Sequence, residues 1–353
     1  MQLNQRARAF LQKYTAGLAE AYGVEDTERY FSLTDPKETS LRNALLESVE
    51  FLNMITCADV DHLSGQVVSV GNPGLFTGRK KDGRFIRATG VDGNEYKLVE
   101  TDSGAALRWD LLSIWANSGN EQEFFQRMQA FTNESFALDM LRIGFNGQGI
   151  ADTTKPDENP NGEDVNRGWH QIAKDWNKGK QVVTTAVKLD EHGDFKSLDA
   201  MASDLINTLI PQQFRHDPRL VILVGADLVA AEQYRLYQAA DRPTEKIAAQ
   251  MLGSSIAGRP AMVPPFMPGR RMVVTMLPNL QILTQRNTRQ RKAEFVDDRK
   301  QFENKYLRNE GYALETPELY AAYDEEAVTI GKVVEPAEKL GTVAKPAEEL
   351  DHE

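Results

Sequence analysis

Five basic residues, Arg79, Lys80, Lys81, Arg84 and Arg87, crowd the stretch GRKKDGRFIR at positions 78–87 around the acid Asp82. Such a cluster suits a phosphate, a nucleic-acid backbone or the acidic surface of another protein. The phosphate reading lacks its machinery, since no GxxxxGK[ST] loop is present and the strand-like run ending at Val224 is followed by Gly225 alone rather than a dinucleotide fingerprint. Broad duplex binding is disfavoured by a formal net charge of -11.

The other chemistry-bearing residues fare no better. His62, His170, His192, His216 and His352 form no HExxH pattern, and Asp190-Glu191-His192-Gly193-Asp194 reads as a polar turn, because adjacent side chains seldom converge on one ion. His170, between Trp169 and Gln171, reads as a helix residue with a structural contact. Cys57 is the only cysteine, which excludes an intrachain disulfide or a cysteine zinc site, and its place after an apolar helical stripe marks it as a small buried hydrophobe. No GxSxG elbow precedes a helix. Neither an enzyme, a cofactor nor a metal is expected.

The elements that would carry these residues follow from period and punctuation. Leu3, Ala7, Phe10, Tyr14, Leu18 and Tyr22 predict an amphipathic helix over residues 2–22, either packed on its own globule or detachable across the polar stretch Gly23–Arg29. Asp35-Pro36-Lys37-Glu38 predicts a capping box with Asp35 at the cap, opening a helix whose stripe is Leu41, Leu45, Val49, Leu52 and Ile55. From Gly65 to Leu107, glycine after Asn or Asp marks tight turns in a hairpin-like excursion with little apolar material to bury. Asn120 with Glu123 caps a long spine helix on Phe124, Met128, Phe131, Leu138 and Leu141 or Phe145, expected to stop at Gly144. Residues 151–164 read as a loop, and Trp169 and Trp176 as partners on one helical face, packed in a core or subunit contact. Ser197 caps a helix, Leu220–Val224 forms a buried strand, and a helix follows with Asp227 as its cap. Met272–Met276 and Leu280–Leu283 read as strands, while Lys292–Tyr312 is open between strand and helix.

A chain of 353 residues holds two or three domains. No apolar run reaches the roughly 18–20 residues that cross a bilayer, and the basic residues Arg6, Arg8 and Lys13 interrupt any signal-peptide core, so a soluble protein made inside a cell is expected. Residues 331–353 hold a weak repeat, VVEPAEKL and TVAKPAEEL, and read as an acidic, partly disordered tail.

The strings RYFSLTDP, SLRNALLESVEFLNMI, LDMLRIGFNG, RGWHQ, SLDAMASDLINTLIPQQFRHDPRLVILVGADLVAAEQY, AGRPAMVPPFMPG, LPNLQILTQ and ENKYLRNEGYALE, in this order and spacing, resemble the major capsid proteins of P2-type tailed phages over residues 1–325. The resemblance implies an α+β fold of the Hong Kong 97 type, with an N-terminal arm, an extended β-hairpin loop, a peripheral domain with a spine helix and an axial α/β domain. Mapped here, residues 1–31 are an N-terminal segment removed on maturation, 32–60 the arm, 61–112 the extended loop, 113–194 and 280–330 the peripheral domain, 195–279 the axial domain and 331–353 the tail. It further implies a coat subunit of the virion, assembled in the host cytoplasm as hexamers and pentamers of an icosahedral procapsid. The partners implied are a scaffolding protein and its linked maturation protease, a portal protein, decoration proteins, and packaged double-stranded DNA held by weak, non-specific contact; no membrane is implied. The matching cleavage junction is Phe31-Ser32, whose loss would spare the folded body, and the basic loop Arg79, Lys80, Lys81, Arg84 and Arg87 is expected to contact a neighbouring subunit. A tail or connector protein is the competing structural class, and an enzyme using the α/β lobe the third.

Overall fold

The computed structural model describes residues 3–67, 77–81, 83–84, 94–239 and 254–331. Helix α1, Gln5–Tyr22, begins where Asn4 Oδ1 accepts the Ala7 amide and ends at Gly23, whose φ of 70° is the left-handed value that favours glycine. It packs on its own globule: Ala7, Leu11, Tyr14 and Leu18 are buried, while Phe10 and Tyr22 sit at the edge of the stripe.

After β1, Phe31–Ser32, the second helix departs from its expected start and length. Helix α2, Asp35–Ser48, has Thr34 at its cap position with no side-chain cap bond, and the chain breaks at Val49 before α3, Glu50–Met54. Glu38, expected to return to the cap, is instead drawn into the interior by Arg289. At the break, Ser48 Oγ donates to the Leu45 carbonyl, offering that oxygen a partner outside the helical ladder.

Strands β2 (Thr56–Val60), β3 (Ser64–Gln66), β4 (Glu95–Lys97) and β5 (Val99–Arg108) lead to α4 (Trp109–Ser118) and α5 (Glu121–Asn146). The expected excursion over residues 65–107 is shorter than its turns suggested, because β5 pairs along β14, Gln301–Leu314, from Val99↔Glu310 to Arg108↔Gln301. The alternation that makes β5 half-buried is a sheet signature rather than that of a free arm. Helix α5 begins as expected, with Asn120 Oδ1 accepting the Glu123 amide at 2.9 Å, and continues past Gly144 to Asn146. At about 1.5 Å per residue it is about 39 Å long. Phe131, placed in its buried stripe by spacing, is 38% exposed, and Thr132, Phe136, Ala137 and Met140 are buried instead, because α5 is covered on different sides along its length.

The remaining elements are α6 (Trp169–Asp175), β6 (Val182–Val183), β7 (Val187–Leu189), α7 (Leu198–Thr208), β8 (Leu220–Val224), α8 (Ala226–Ala239), β9 (Ser255–Ile256), β10 (Arg259–Met262), β11 (Met272–Met276), β12 (Leu280–Gln285), β13 (Gln290–Val296), β14, β15 (Ala321–Tyr323) and β16 (Val328–Ile330). Helix α6 stops before Trp176, where Asn177 and Lys178 take positive φ, so the two tryptophans do not share a helical face. The open stretch 292–312 forms strands, with β13 and β14 paired antiparallel.

One sheet runs β1-β13-β14-β12-β2, with β5 on the opposite edge of β14; a second runs β6-β15-β11-β8-β10-β9. The apolar run of β8 is buried on both faces: Leu220, Ile222 and Val224 meet the α7 and α8 side, Val221 and Leu223 the side of α5 and α6. β11 alternates likewise, so these two strands join both cores. Among the described residues no helix is long and apolar enough to cross a membrane.

Candidate functional site

Strands β3 and β4 pair Ser64↔Lys97, Gly65↔Tyr96 and Gln66↔Glu95, with Gly65 so close under the Tyr96 ring that a Cβ would lie 2.7 Å from its hydroxyl. The base of this hairpin is fixed by Val67, Tyr96 and Leu98 against Leu283 and Ala313 of the first sheet. Beyond it Arg79, Lys80, Lys81 and Arg84 are all exposed, while Arg87, Phe85 and Ile86 lie outside the described residues. The four cations thus stand on a two-stranded base and present charge to whatever approaches.

The Phe31-Ser32 junction does not lie in a loose connection. Both residues pair antiparallel with β13, as Phe31↔Arg291 and Ser32↔Gln290. Thr27 Oγ1 donates to the Ala293 carbonyl at 3.0 Å, Ala293 N–H donates back to the Thr27 carbonyl, and Leu33 N–H donates to the Arg289 carbonyl. The Phe31 ring packs on Tyr22 at 5.4 Å, and Leu33 is buried with Leu41 and Leu45 of α2. Between α1 and α2 lies a cleft of about 500 Å³ lined by Gly17, Leu18 and Ala21 on one wall and Ser40 and Ala44 on the other.

Two buried ionic groups tie these parts to the sheets. Arg289, 3% exposed at its side chain, meets Glu38 of α2 at 2.9 Å and Asp59 of β2, and Arg42 reaches the other Asp59 oxygen at 2.7 Å. Arg308 and Glu310 on β14 form a bidentate pair beside them. Burial opposes the Arg308 cation, yet Glu310 beside it holds its pKa above the ordinary value. Sequence reading missed this group, although Glu38 stands three residues before Leu41 on the buried stripe of α2, where a carboxylate needs a partner.

The second group gathers His170 of α6 with Tyr320, Asp324 and Glu325. His170 Nδ1 is 3.1 Å from Tyr320 Oη and Nε2 is 3.4 Å from Asp324 Oδ2. The ligand atoms of His170, Asp324 and Glu325 lie within 4.8 Å of one another, the grouping a metal would use. Lys174 already holds Asp324, however, and Arg271 grips both oxygens of Glu325 at 2.7 Å, while its Nη1 donates to the Phe145 carbonyl at the end of α5. Both carboxylates are therefore spoken for by fixed cations, and the group acts as a rivet between α5, α6 and the second sheet. Burial, with Arg271 nearby, lowers the His170 pKa to about 4, so the ring is neutral at pH 7 and serves as the structural contact that was expected.

The remaining candidates are inert. Burial pushes the half-buried Cys57 thiol up to about 12, far from a nucleophile's range. Asp190 to Asp194 form the tight connection after β7, closed by Gly193 N–H to the Asp190 carbonyl and by Lys188 at 3.0 Å from Asp190.

Known proteins agree with a structural rather than a catalytic reading. The family model "Phage major capsid protein, P2 family" matches residues 10–326. The capsid protein of Escherichia phage P2 is 25% identical over 354 residues, covering 95% of this chain and 98% of the relative. The major capsid protein of Serratia phage KSP20 is 24% identical over 273 residues, covering 72% and 77%. Among solved structures, a satellite phage P4 procapsid including a size determination protein contains a chain that superimposes with a TM-score of 0.74 at 24% identity, covering 93% of this chain and 99% of that one. The α+β arrangement described above is thus a phage capsid fold. The chain belongs to the P2 family of phage major capsid proteins, the structural subunits of the icosahedral phage head.

Proposed function

We propose that the exposed basic tip of the β3–β4 hairpin lies on the acidic surface of a neighbouring subunit and sets the register of the shell. The observation that carries this reading is the exposure of Arg79, Lys80, Lys81 and Arg84 in the stretch between β3 and β4, whose base is fixed on the first sheet, in a chain of net charge -11. Complementary charge of this kind fixes orientation and suppresses wrong contacts more than it adds affinity. Within the subunit, residues 32–60 are the arm, the stretch from 61 carrying the hairpin is the extended loop, 113–194 with 280–330 are the peripheral domain, and 195–279 are the axial domain. The loop, taken as residues 61–112, includes β5, which pairs along β14 and so roots the loop in the first sheet. The subunits form hexamers and pentamers on a scaffolding protein, with a portal at one vertex, a linked protease acting at Phe31-Ser32, and DNA touching the inner wall without sequence preference.

Cleavage at that bond has a consequence for the rest of the chain. Helix α1 shares a core with Leu107, Leu112, Phe124, Met128 and Phe302, so losing residues 1–31 would uncover those side chains on the body that remains. The test of the loop is reversal of Arg79, Lys80, Lys81 and Arg84 to Glu, with co-expression of the scaffolding protein: shells should be lost while the soluble subunit keeps its melting temperature. Unchanged shell yield would remove the loop from the contact.

A further inference from the structure

The stretch carrying the Phe31-Ser32 bond is built into a sheet edge, and its packing bears on when that bond can be cut. This inference rests on the cleavage reading given above. Residues 27–33 run along β13 and are fastened to it at three places, by the reciprocal Thr27 and Ala293 bonds, by the Phe31 and Ser32 pairing, and by the Leu33 amide. Thr27 and Leu33 are buried at the two ends, and Phe31 rests on Tyr22 between them. Between these ties Glu28, Arg29 and Tyr30 are exposed, and α1 and α2 on either side are anchored in apolar clusters, so the bond itself is held by the pairing of Phe31, Ser32 and Leu33.

An endopeptidase takes its substrate as an extended strand in its own cleft, which requires this segment to leave β13 first. We propose that detachment of residues 27–33 from the β13 edge gates hydrolysis of the Phe31-Ser32 bond, making the packed subunit a poor substrate and the opened one a good one. The reaction itself is ordinary: the Phe31 C–N bond breaks, water supplies the oxygen of the new Phe31 carboxylate, and its two protons leave Ser32 with an ammonium group. The device is the strand pairing, which ties the timing of the cut to whatever motion of the subunit loosens β13.

A reversible lock tests this. Ser32 and Gln290 face each other across the strand pair, so the double variant Ser32→Cys and Gln290→Cys places two thiols to be joined by oxidation. Chymotrypsin, which cuts after aromatic residues, is the probe on the purified full-length chain. The oxidised protein should be cut after Phe31 at least about tenfold more slowly than the same protein with reductant, because cutting tracks the population of the open form. Conversely, Thr27→Val with Leu33→Ala should speed that cut about tenfold while leaving the buried Phe51 and Phe302 uncut, which separates local opening from global unfolding. Equal rates with the lock closed and open overturn the gate. Intact mass of assembled particles judges the underlying cleavage separately: a loss other than residues 1–31 removes the junction, whereas the chymotrypsin comparison still decides whether this strand protects itself.

Discussion

Replacing Arg289 with Met keeps the length and apolar body of the side chain and removes only its charge. In the wild type the guanidinium is the ion-pair partner of Glu38 and one of two partners of Asp59, with both acids largely buried. After substitution Asp59 keeps Arg42, but Glu38 is left as a carboxylate with about 5% of its side chain in water. Stranding a buried charge in this way costs about 3–5 kcal/mol. At about 2.1 cal/mol/K per residue over a chain of this length, the unfolding entropy is about 0.7 kcal/mol/K, so the melting temperature should fall by about 4–7 °C. The assay is calorimetry of the unassembled subunit, repeated for Glu38→Gln and for the double variant. Glu38→Gln alone should cost about 1 kcal/mol, since Arg289 retains Asp59, and in the Arg289→Met background it should return about 2 kcal/mol by neutralising the stranded acid. A loss below about 1 kcal/mol for Arg289→Met, or no recovery in the double variant, would refute the claim that α2 is held to the sheet by buried charge.

Other consequences are as direct. Trp169 is 1% exposed, lies edge-on to Phe145 and Tyr312, and donates its indole N–H to the Gln281 carbonyl, so Trp169→Ala should cost about 3–5 kcal/mol in urea unfolding. Gly144→Ala should cost about 1–3 kcal/mol, because its Cβ would meet the Trp169 ring at 2.5 Å. For His170 the folded pKa of about 4 lies below the ordinary 6.5, so the unfolded chain binds the extra proton between these values. That contribution is fully present above pH 6.5 and lost as pH falls toward 4, about 3 kcal/mol in all; urea midpoints across this range should show it, and His170→Gln should flatten the slope.

Much of the fold was legible because local chemistry and tertiary demand agreed. Asn120 with Glu123 started the spine helix and Ser197 the α7 helix, in each case through a side-chain oxygen accepting the expected amide, and LVILV became a strand buried on both faces. The misses came where a distant partner decided. Glu38 fitted a capping box but was claimed by Arg289, some 250 positions away. The half-buried alternation of β5 was hidden beside glycine-rich turns, and only its pairing with β14 roots it in the first sheet. Phe131 had helical spacing for the interior, yet the cover over α5 changes side along its length. For function, the chemistry of single residues raised no catalytic hypothesis and named no role; the order of many strings carried the capsid resemblance, because function is not written in the fold or in isolated residues. The buried rivets at Arg289 and His170 were invisible to spacing, since their members are scattered over α2, β2, α6 and the connections before β11, before β13 and after β15.

The most direct measurement is electron microscopy of this chain co-expressed with a phage scaffolding protein. Closed icosahedral particles are predicted, with density for the basic tip of one subunit's hairpin resting against acidic side chains of the next. Tubes, small rings or lone subunits, or shells in which Arg79 to Arg84 touch only solvent, would contradict the account.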